Sequence, residues 1–508
     1  MKRSMLIFFF QCTILLLSAS CSKGQTSMTN QEEHRLQVHF SPKANWINDP
    51  NGMVYHKGIY HLFFQYHPAS TIWGPMHWGH ATSKDMVNWK EEAIALYPDS
   101  LGMIFSGSTV ADINNTSGFG KDGKMPLVAI FTHHNAELEK TSNKFQNQSL
   151  AYSLDDGKTW TKYAGNPVVP NPGITDFRDP KVSWYEAGKK WVMTLATKDR
   201  ITFYSSPNLK DWKKESEFGA ELGGHGGVWE CPDLFQLDHN GKKVWVLLVS
   251  INPGGPNKGS VTQYFIGDFD GTTFKEAHTD TRWMDYGPDN YAGVTFFNTG
   301  DRKVLIGWMN NWLYANKVPT EKWRGAMTLP RELKLKQVGD KIFLASEWAK
   351  EISKLESAPV VAQNVVVNKR LDLATKVKNI SLPCRLDLSG IKAGDLSLVL
   401  SNNLGEELFI GYDKAKNEYY IDRTKSGKLN FQEDFASRSV APRLAVGATM
   451  NMSLVLDIGS VELLGDDGLS VLTALFFPNK TYNKFTLKAP GSTTIQKLSY
   501  RKLKAQGK

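Results

Sequence analysis

Apolar and aromatic residues in the first 345 positions come in short blocks, with no long helical period between them. The blocks Ile59–Phe64, Leu127–Phe131 and Lys190–Leu195 are rich in β-branched and aromatic side chains and are bounded by Gly, Asn, Asp and Pro. That pattern predicts many short strands. A weak repeat runs through them. Ser83-Lys84-Asp85 leads to Trp89, Ser153-Leu154-Asp155 to Trp160, and Ser206-Pro207-Asn208 to Trp212; a degenerate copy runs from Asp268 to Phe274. The four rings are spaced 71, 52 and 62 residues apart. Repeats of this length built from short antiparallel strands point to propeller blades. A large β-sandwich with recurring hairpins is the alternative that the pattern leaves open.

Ser346–Ser357 (SEWAKEISKLES) has the spacing of a short linker helix. Residues 358–508 then alternate, as in Leu396–Leu400 and Met452–Leu456, which predicts an accessory β-sandwich. All 15 Trp lie at or before Trp348 and all 12 His at or before His278, so the two regions are unlike and chemistry is expected in the first. We expect the propeller over 35–345 and the sandwich to support it, packed through the linker helix. A hydrophobic content of 41% excludes wholesale disorder. The formal charge of +9 is scattered, without a basic stripe, so no nucleic-acid partner is expected.

The N-terminus reads as an address. Lys2 and Arg3 precede the apolar run Leu6–Leu17, which is too short for a bilayer span and suits a signal peptide over 1–20. Ser18-Ala19-Ser20 before Cys21 resembles a bacterial lipoprotein junction, although Ser18 stands where Leu is usual. The expectation is an exported cell-envelope protein, lipidated at Cys21 and touching membrane only through that anchor. Without lipidation it would be secreted. Cys231 and Cys384 are too few for a disulfide framework. His77, His80, His133 and His134 lack the further ligands of a metal site, so neither metal nor cofactor is expected.

Three segments carry candidate chemistry: Trp46–Gly52 (WINDPNG), Phe177–Val182 (FRDPKV) and Trp229–Asp233 (WECPD). Each singly could be an ordinary turn. Together they place carboxylates beside prolines and aromatics on three different candidate blades, and a propeller gathers such positions at its axis. Glycoside hydrolysis needs one carboxyl group to protonate the leaving oxygen and a second, ionised, to attack the anomeric carbon or position water. Aromatic faces pack on sugar rings, while amides and Arg bind hydroxyls. The flanking Trp229 and Pro232 lead us to expect an apolar setting for Glu230, and Asp179 should resist protonation beside Arg178.

These motifs resemble those of glycoside hydrolase family 32, which contains invertases, inulinases and levanases. Further similar stretches are FFQYHP (63–68), WGPMHWGHATSKDMVNW (73–89), FSGS (105–108) and NNWLYANKVPTEKWRGAMTLPREL (310–333), with a weaker signature in IDRTKSG (421–427). The resemblance implies an all-β protein, a five-bladed β-propeller followed by a C-terminal β-sandwich. It implies Asp49 as nucleophile, Glu230 as acid/base and Asp179 as transition-state stabiliser. Asn48, Gln65, Trp73, Phe105, Ser106, Arg178 and Trp312 would line the terminal-fructose pocket. The implied reaction is retaining hydrolysis of β-fructofuranosidic bonds in levan or inulin, and of sucrose, by a monomer. Exo action is favoured over endo, and the wording is nearest to exo-acting levanases and inulinases. A related five-bladed arabinan-type enzyme and a non-catalytic fructan-binding lipoprotein are the competing readings; the second would be expected to have lost Asp49 or Glu230.

Overall fold

Five inner strands surround one axis: Asn45–His56, Met103–Ala111, Phe177–Tyr185, Val228–His239 and Tyr291–Thr295. Each packs beside the next, and the fifth returns to the first. Each also begins a four-stranded antiparallel blade that runs outward, the first ending at Lys90–Glu91 and the last at Lys341–Trp348. The computed structural model describes residues 32–506, so the signal segment 1–20 and Cys21 lie outside the described residues. The fold is a five-bladed β-propeller followed by a β-sandwich. The ring is latched where Trp323–Arg324 pairs in parallel with Asn45–Trp46.

The ring-bearing turns of the repeat sit between the third and fourth strands of blades one to four. In three of them the indole N–H folds back onto a carbonyl three residues earlier, Trp89 on Met86 (2.9 Å), Trp160 on Gly157 (3.2 Å) and Trp212 on Leu209 (2.7 Å). Asp85, Asp155 and Asn208 accept the backbone N–H groups of the turn, which is why short polar residues recur there. The fifth blade closes with a tight Gly339-Asp340 turn and has no ring, so the repeat was visible only four times.

Every inner strand is bulged near its start. Pairing slips between Ile47 and Pro50, between Ile104 and Gly107, opposite Asp179-Pro180, between Glu230 and Asp233, and between Tyr291 and Val294. Pro50, Pro180 and Pro232 have no N–H to give to a ladder, so they fall at bulges. At Gly107 a Cβ would lie 2.1 Å from the Ile130 carbonyl oxygen, which leaves room only for glycine. Residues at all five bulges meet at one site.

Residues 346–357 do not form the expected α-helix. Ser346–Trp348 completes the last strand, paired with Arg331–Leu333, and only Lys350–Lys354 coils, as a 3-10 turn. The Ala349 N–H is taken by the Pro330 carbonyl, so the strand register wins over the helical spacing. Ile352 and Leu355 still pack against Val455 and Leu503 of the sandwich. The sandwich is one antiparallel sheet of ten strands folded on itself. The long strand Lys484–Lys502 pairs with Val360–Asp372, Cys384–Lys392 and Leu396–Ser401.

The joint between the domains combines apolar clusters with a buried charged network. Arg331 of the last blade donates to Asp285 (2.9 Å) and to Glu462 of the sandwich, all three side chains being fully buried. Arg423 reaches across to Asp289 at 2.8 Å. His39 lies between Asp457 (2.9 Å) and Glu462 (2.8 Å). Burial opposes its charge, but the two carboxylates outweigh burial and raise its pKa from 6.5 to about 9. A raised folded-state pKa means stability that is complete below about 6.5 and lost as pH rises through about 9. Tm should therefore fall more steeply above pH 8 in the wild type than in His39→Gln, as read by thermal denaturation across pH 6–10. Parallel profiles would contradict this.

Candidate active site

Each of the five bulges delivers a side chain to one cavity of about 410 Å³ at the propeller axis or to the shell around it. Asp49 comes from the first inner strand, Phe105 and Ser106 from the second, Arg178 and Asp179 from the third, Glu230 and Cys231 from the fourth, and Tyr291 from the fifth. The expected pocket residues Asn48, Gln65, Trp73, Phe105, Ser106, Arg178 and Trp312 all line it, with Asp49 and Glu230. Asp179 sits behind them, touching Cys231. A larger cleft of about 780 Å³ lies between the domains, and two of its carboxylates are engaged, Asp387 by Arg385 and Arg501, and Glu347 by Lys336.

Asp49 is held by an amide and a hydroxyl donor, with the Cys231 thiol 3.7 Å from its Oδ2. The Trp46 indole N–H donates to Asn48 Oδ1 (2.8 Å), which turns the Asn48 amide N–H toward Asp49 Oδ1 (3.0 Å). Ser106 Oγ donates to Asp49 Oδ2 at 2.9 Å. Burial and the nearby Glu230 raise the Asp49 pKa, and the two donors oppose that rise. Asp179 has a left-handed backbone (φ +65°), and its Oδ2 accepts the Cys231 N–H at 3.0 Å. Cys231 is left-handed too (φ +45°), so the Asp-Pro and Cys-Pro steps carry strained residues just before their prolines.

Two electrostatic expectations change. Asp179 does not resist protonation: burial pushes it up to about 7, Arg178 opposes this, and Glu230 and Asp49 add to the rise. Arg178 lends its hydrogen bonds elsewhere, to Glu230 Oε1 from Nε (3.2 Å) and Nη2 (2.9 Å) and to Asp176 from Nη1. Nor does Trp229 flank the Glu230 carboxyl. Neighbours on a strand point to opposite faces, and the Trp229 ring is buried between blades, donating to the Gly224 carbonyl at 2.9 Å. The other partner of Glu230 is the Tyr291 hydroxyl, on Oε2.

The walls are aromatic. Trp312 stacks on Trp46 with centroids 5.8 Å apart, and Trp73 meets Phe105 edge-on at 6.2 Å. Gln65 is buried with its Nε2 unpartnered, a donor left for a ligand. Tyr291 on Glu230, and Asp176, Glu139, Phe145 and Gln146 in the lining, carry no sequence motif, whereas His134 was among the histidines expected in a pocket or on the surface. Tyr291 sits in the unremarkable segment Asp289-Asn290-Tyr291-Ala292, and its only signal was a place one blade after the last carboxylate motif.

Buried carboxylates, hydroxyl-binding donors and aromatic walls in one cavity define a glycosidase-type site on a propeller. Residues 39–346 match the Glycosyl hydrolases family 32 N-terminal domain and residues 351–502 the Glycosyl hydrolases family 32 C terminal. The chain belongs to glycosyl hydrolase family 32. It is 43% identical to a levanase of Bacillus subtilis (strain 168) over 99% of this chain and 75% of that one. It is 42% identical to an extracellular exo-inulinase of Aspergillus niger over 91% of this chain and 93% of that one. The crystal structure of exo-inulinase from Aspergillus awamori superposes with a TM-score of 0.85 at 40% identity, covering 94% of this chain and 99% of that one.

Proposed function

We propose that this protein is an exported, exo-acting fructan β-fructosidase that works with retention, with Asp49 as nucleophile and Glu230 as acid/base. The observation that carries the reading is that Asp49 and Glu230, from two inner strands, face one aromatic-walled cavity, with Asp179 of a third inner strand directly behind them on Cys231. Family membership and the levanase and exo-inulinase relatives support the substrate class. A cavity of about 410 Å³ at the end of the propeller axis suits a chain end, which supports exo action.

Ionised Asp49, steadied by Asn48 and Ser106, attacks the anomeric carbon of the terminal fructosyl unit as the glycosidic bond breaks. Glu230 gives its proton to the leaving oxygen. Arg178 donates to its Oε1 and the Tyr291 hydroxyl to its Oε2, which fixes the orientation of the carboxyl group. Glu230 then takes a proton from water, which attacks the fructosyl-enzyme and frees Asp49. Asp179, directly behind these two carboxylates, is assigned to stabilise the transition state, and Gln65 supplies a donor to the sugar.

Product analysis on levan, inulin and sucrose tests the reading. Fructose should appear as the first product of at least one of them, without intermediate oligosaccharides. Release of oligosaccharides first would make the enzyme endo-acting, and release of no fructose from any would overturn the activity. The lipid anchor at Cys21 rests on the signal-like N-terminus. Metabolic labelling with a fatty-acid probe should mark the wild type and not Cys21→Ala; labelling that persists in the variant would refute the anchor.

A further inference from the structure

One wall of the cavity is built from side chains that the proposed reaction does not use: His134, Glu139, Phe145 and Gln146. They form an ordered relay. The Phe177 N–H donates to Gln146 Oε1 at 2.8 Å, which turns the amide so that its Nε2 donates to His134 Nδ1 at 3.2 Å. The other ring nitrogen, Nε2, then carries the proton and points at Glu139 Oε2, 3.1 Å away. The imidazole is clamped against the Phe105 face (4.4 Å, 13° between planes) and the Phe145 edge (5.2 Å, 75°). Burial lowers the His134 pKa, in keeping with a neutral donor.

Depth gives this relay its direction. Gln146 and His134 are 2% and 5% exposed, whereas the Glu139 side chain is 49% exposed. Asn48 and Gln65, close to Asp49 on the floor, are almost fully buried. Glu139 Oε1 has no hydrogen-bond partner among the described residues. A half-exposed histidine–carboxylate pair adds little stability, and fixing a Glu side chain costs rotamer entropy. Such a pair needs no buried amide and two aromatic rings behind it. The arrangement holds a free carboxylate oxygen at the cavity mouth in one orientation. A carboxylate there accepts hydrogen bonds from sugar hydroxyls, and charge-assisted bonds of this kind are the stronger ones.

We propose that Glu139 binds the hydroxyl groups of the leaving sugar, with His134 as its positioning residue, so that the enzyme prefers a carbohydrate leaving group over one that lacks hydroxyls. The inference rests on the β-fructosidase reading above. The fructosyl unit must lie over Asp49 on the floor, so the group nearer the mouth is the one that departs.

The test compares kcat/KM of the full-chain enzyme on a fructosyl-fructose disaccharide and on β-fructofuranosyl fluoride, whose leaving group has no hydroxyl. In Glu139→Ala the ratio of disaccharide to fluoride should fall about tenfold, mostly through KM. Glu139→Gln, which keeps an acceptor but not the charge, should fall less. His134→Ala should shift the ratio in the same direction, since the carboxylate loses its orientation. An unchanged ratio in Glu139→Ala, or an equal loss on both substrates, would overturn the proposal while leaving the activity standing. A wild type that hydrolyses neither substrate would instead overturn the β-fructosidase reading on which it rests.

Discussion

Asp49→Ala should lose turnover by roughly 10⁴-fold or more on every β-fructoside, whatever the leaving group. Without the carboxylate no covalent intermediate forms, and a better leaving group cannot replace a missing nucleophile. Glu230→Ala should behave differently. On a substrate that needs protonation the loss should be about 10²–10⁴-fold, and on one with a good leaving group the fructosyl-enzyme should form quickly and then wait for water. Azide needs no general base, so it should restore turnover in Glu230→Ala and give a product of retained configuration. In Asp49→Ala any azide product should be inverted. The opposite pattern, inversion in Glu230→Ala, would exchange the two roles. The steady-state rates and the anomeric configuration by NMR decide between them.

Arg331→Met should be the most destabilising single change at the domain joint. Arg331 donates to Asp285, Glu462 and the Thr473 hydroxyl, and no atom of its side chain reaches solvent. Methionine fills similar space but leaves two buried carboxylates short of a counter-charge, a loss of about 3–5 kcal/mol. In a molecule of this size that is a drop of several degrees in Tm. His39, already shared between Asp457 and Glu462, cannot reach Asp285 as well. The exposed pair Lys57–Asp156 serves as control, since Lys57→Ala should move Tm by little. Equal Tm for Arg331→Met and the wild type would show that the joint does not depend on this network.

The parts of the fold that were legible in the sequence are those with a local chemical cause. A polar turn that captures an indole marks the outer edge of three blades because Asp or Asn and Trp satisfy the turn by themselves. The Asp-Pro and Cys-Pro steps mark the inner edge because proline cannot join a ladder. Of the seven expected pocket residues that line one cavity, Asn48 and Arg178 stand beside such a step, whereas Gln65, Trp73, Phe105, Ser106 and Trp312 were implied by the resemblance to the family. What stayed hidden depends on partners distant in sequence. Residues 346–357 have a helical spacing, yet pairing with Arg331–Leu333 draws their first turn into a strand. The sandwich was expected to dock through that helix, whereas much of the contact is made by charged groups such as Arg331, Glu462, Arg423 and Asp289. Tyr291 carries no motif and reaches Glu230 only because the ring of blades closes. The assignment of Arg178 to Asp179 failed because adjacency along a strand sends side chains to different neighbours.

A covalent fructosyl-enzyme at Asp49 is the intermediate that retention requires. Glu230→Ala, mixed with β-fructofuranosyl fluoride and quenched in acid within seconds, can be weighed intact and then digested with pepsin. The protein should gain the mass of one fructosyl unit, and the modified peptide should contain Asp49. An adduct on a peptide carrying Asp179 in place of Asp49, or turnover of the fluoride with inverted product and no adduct, would contradict it.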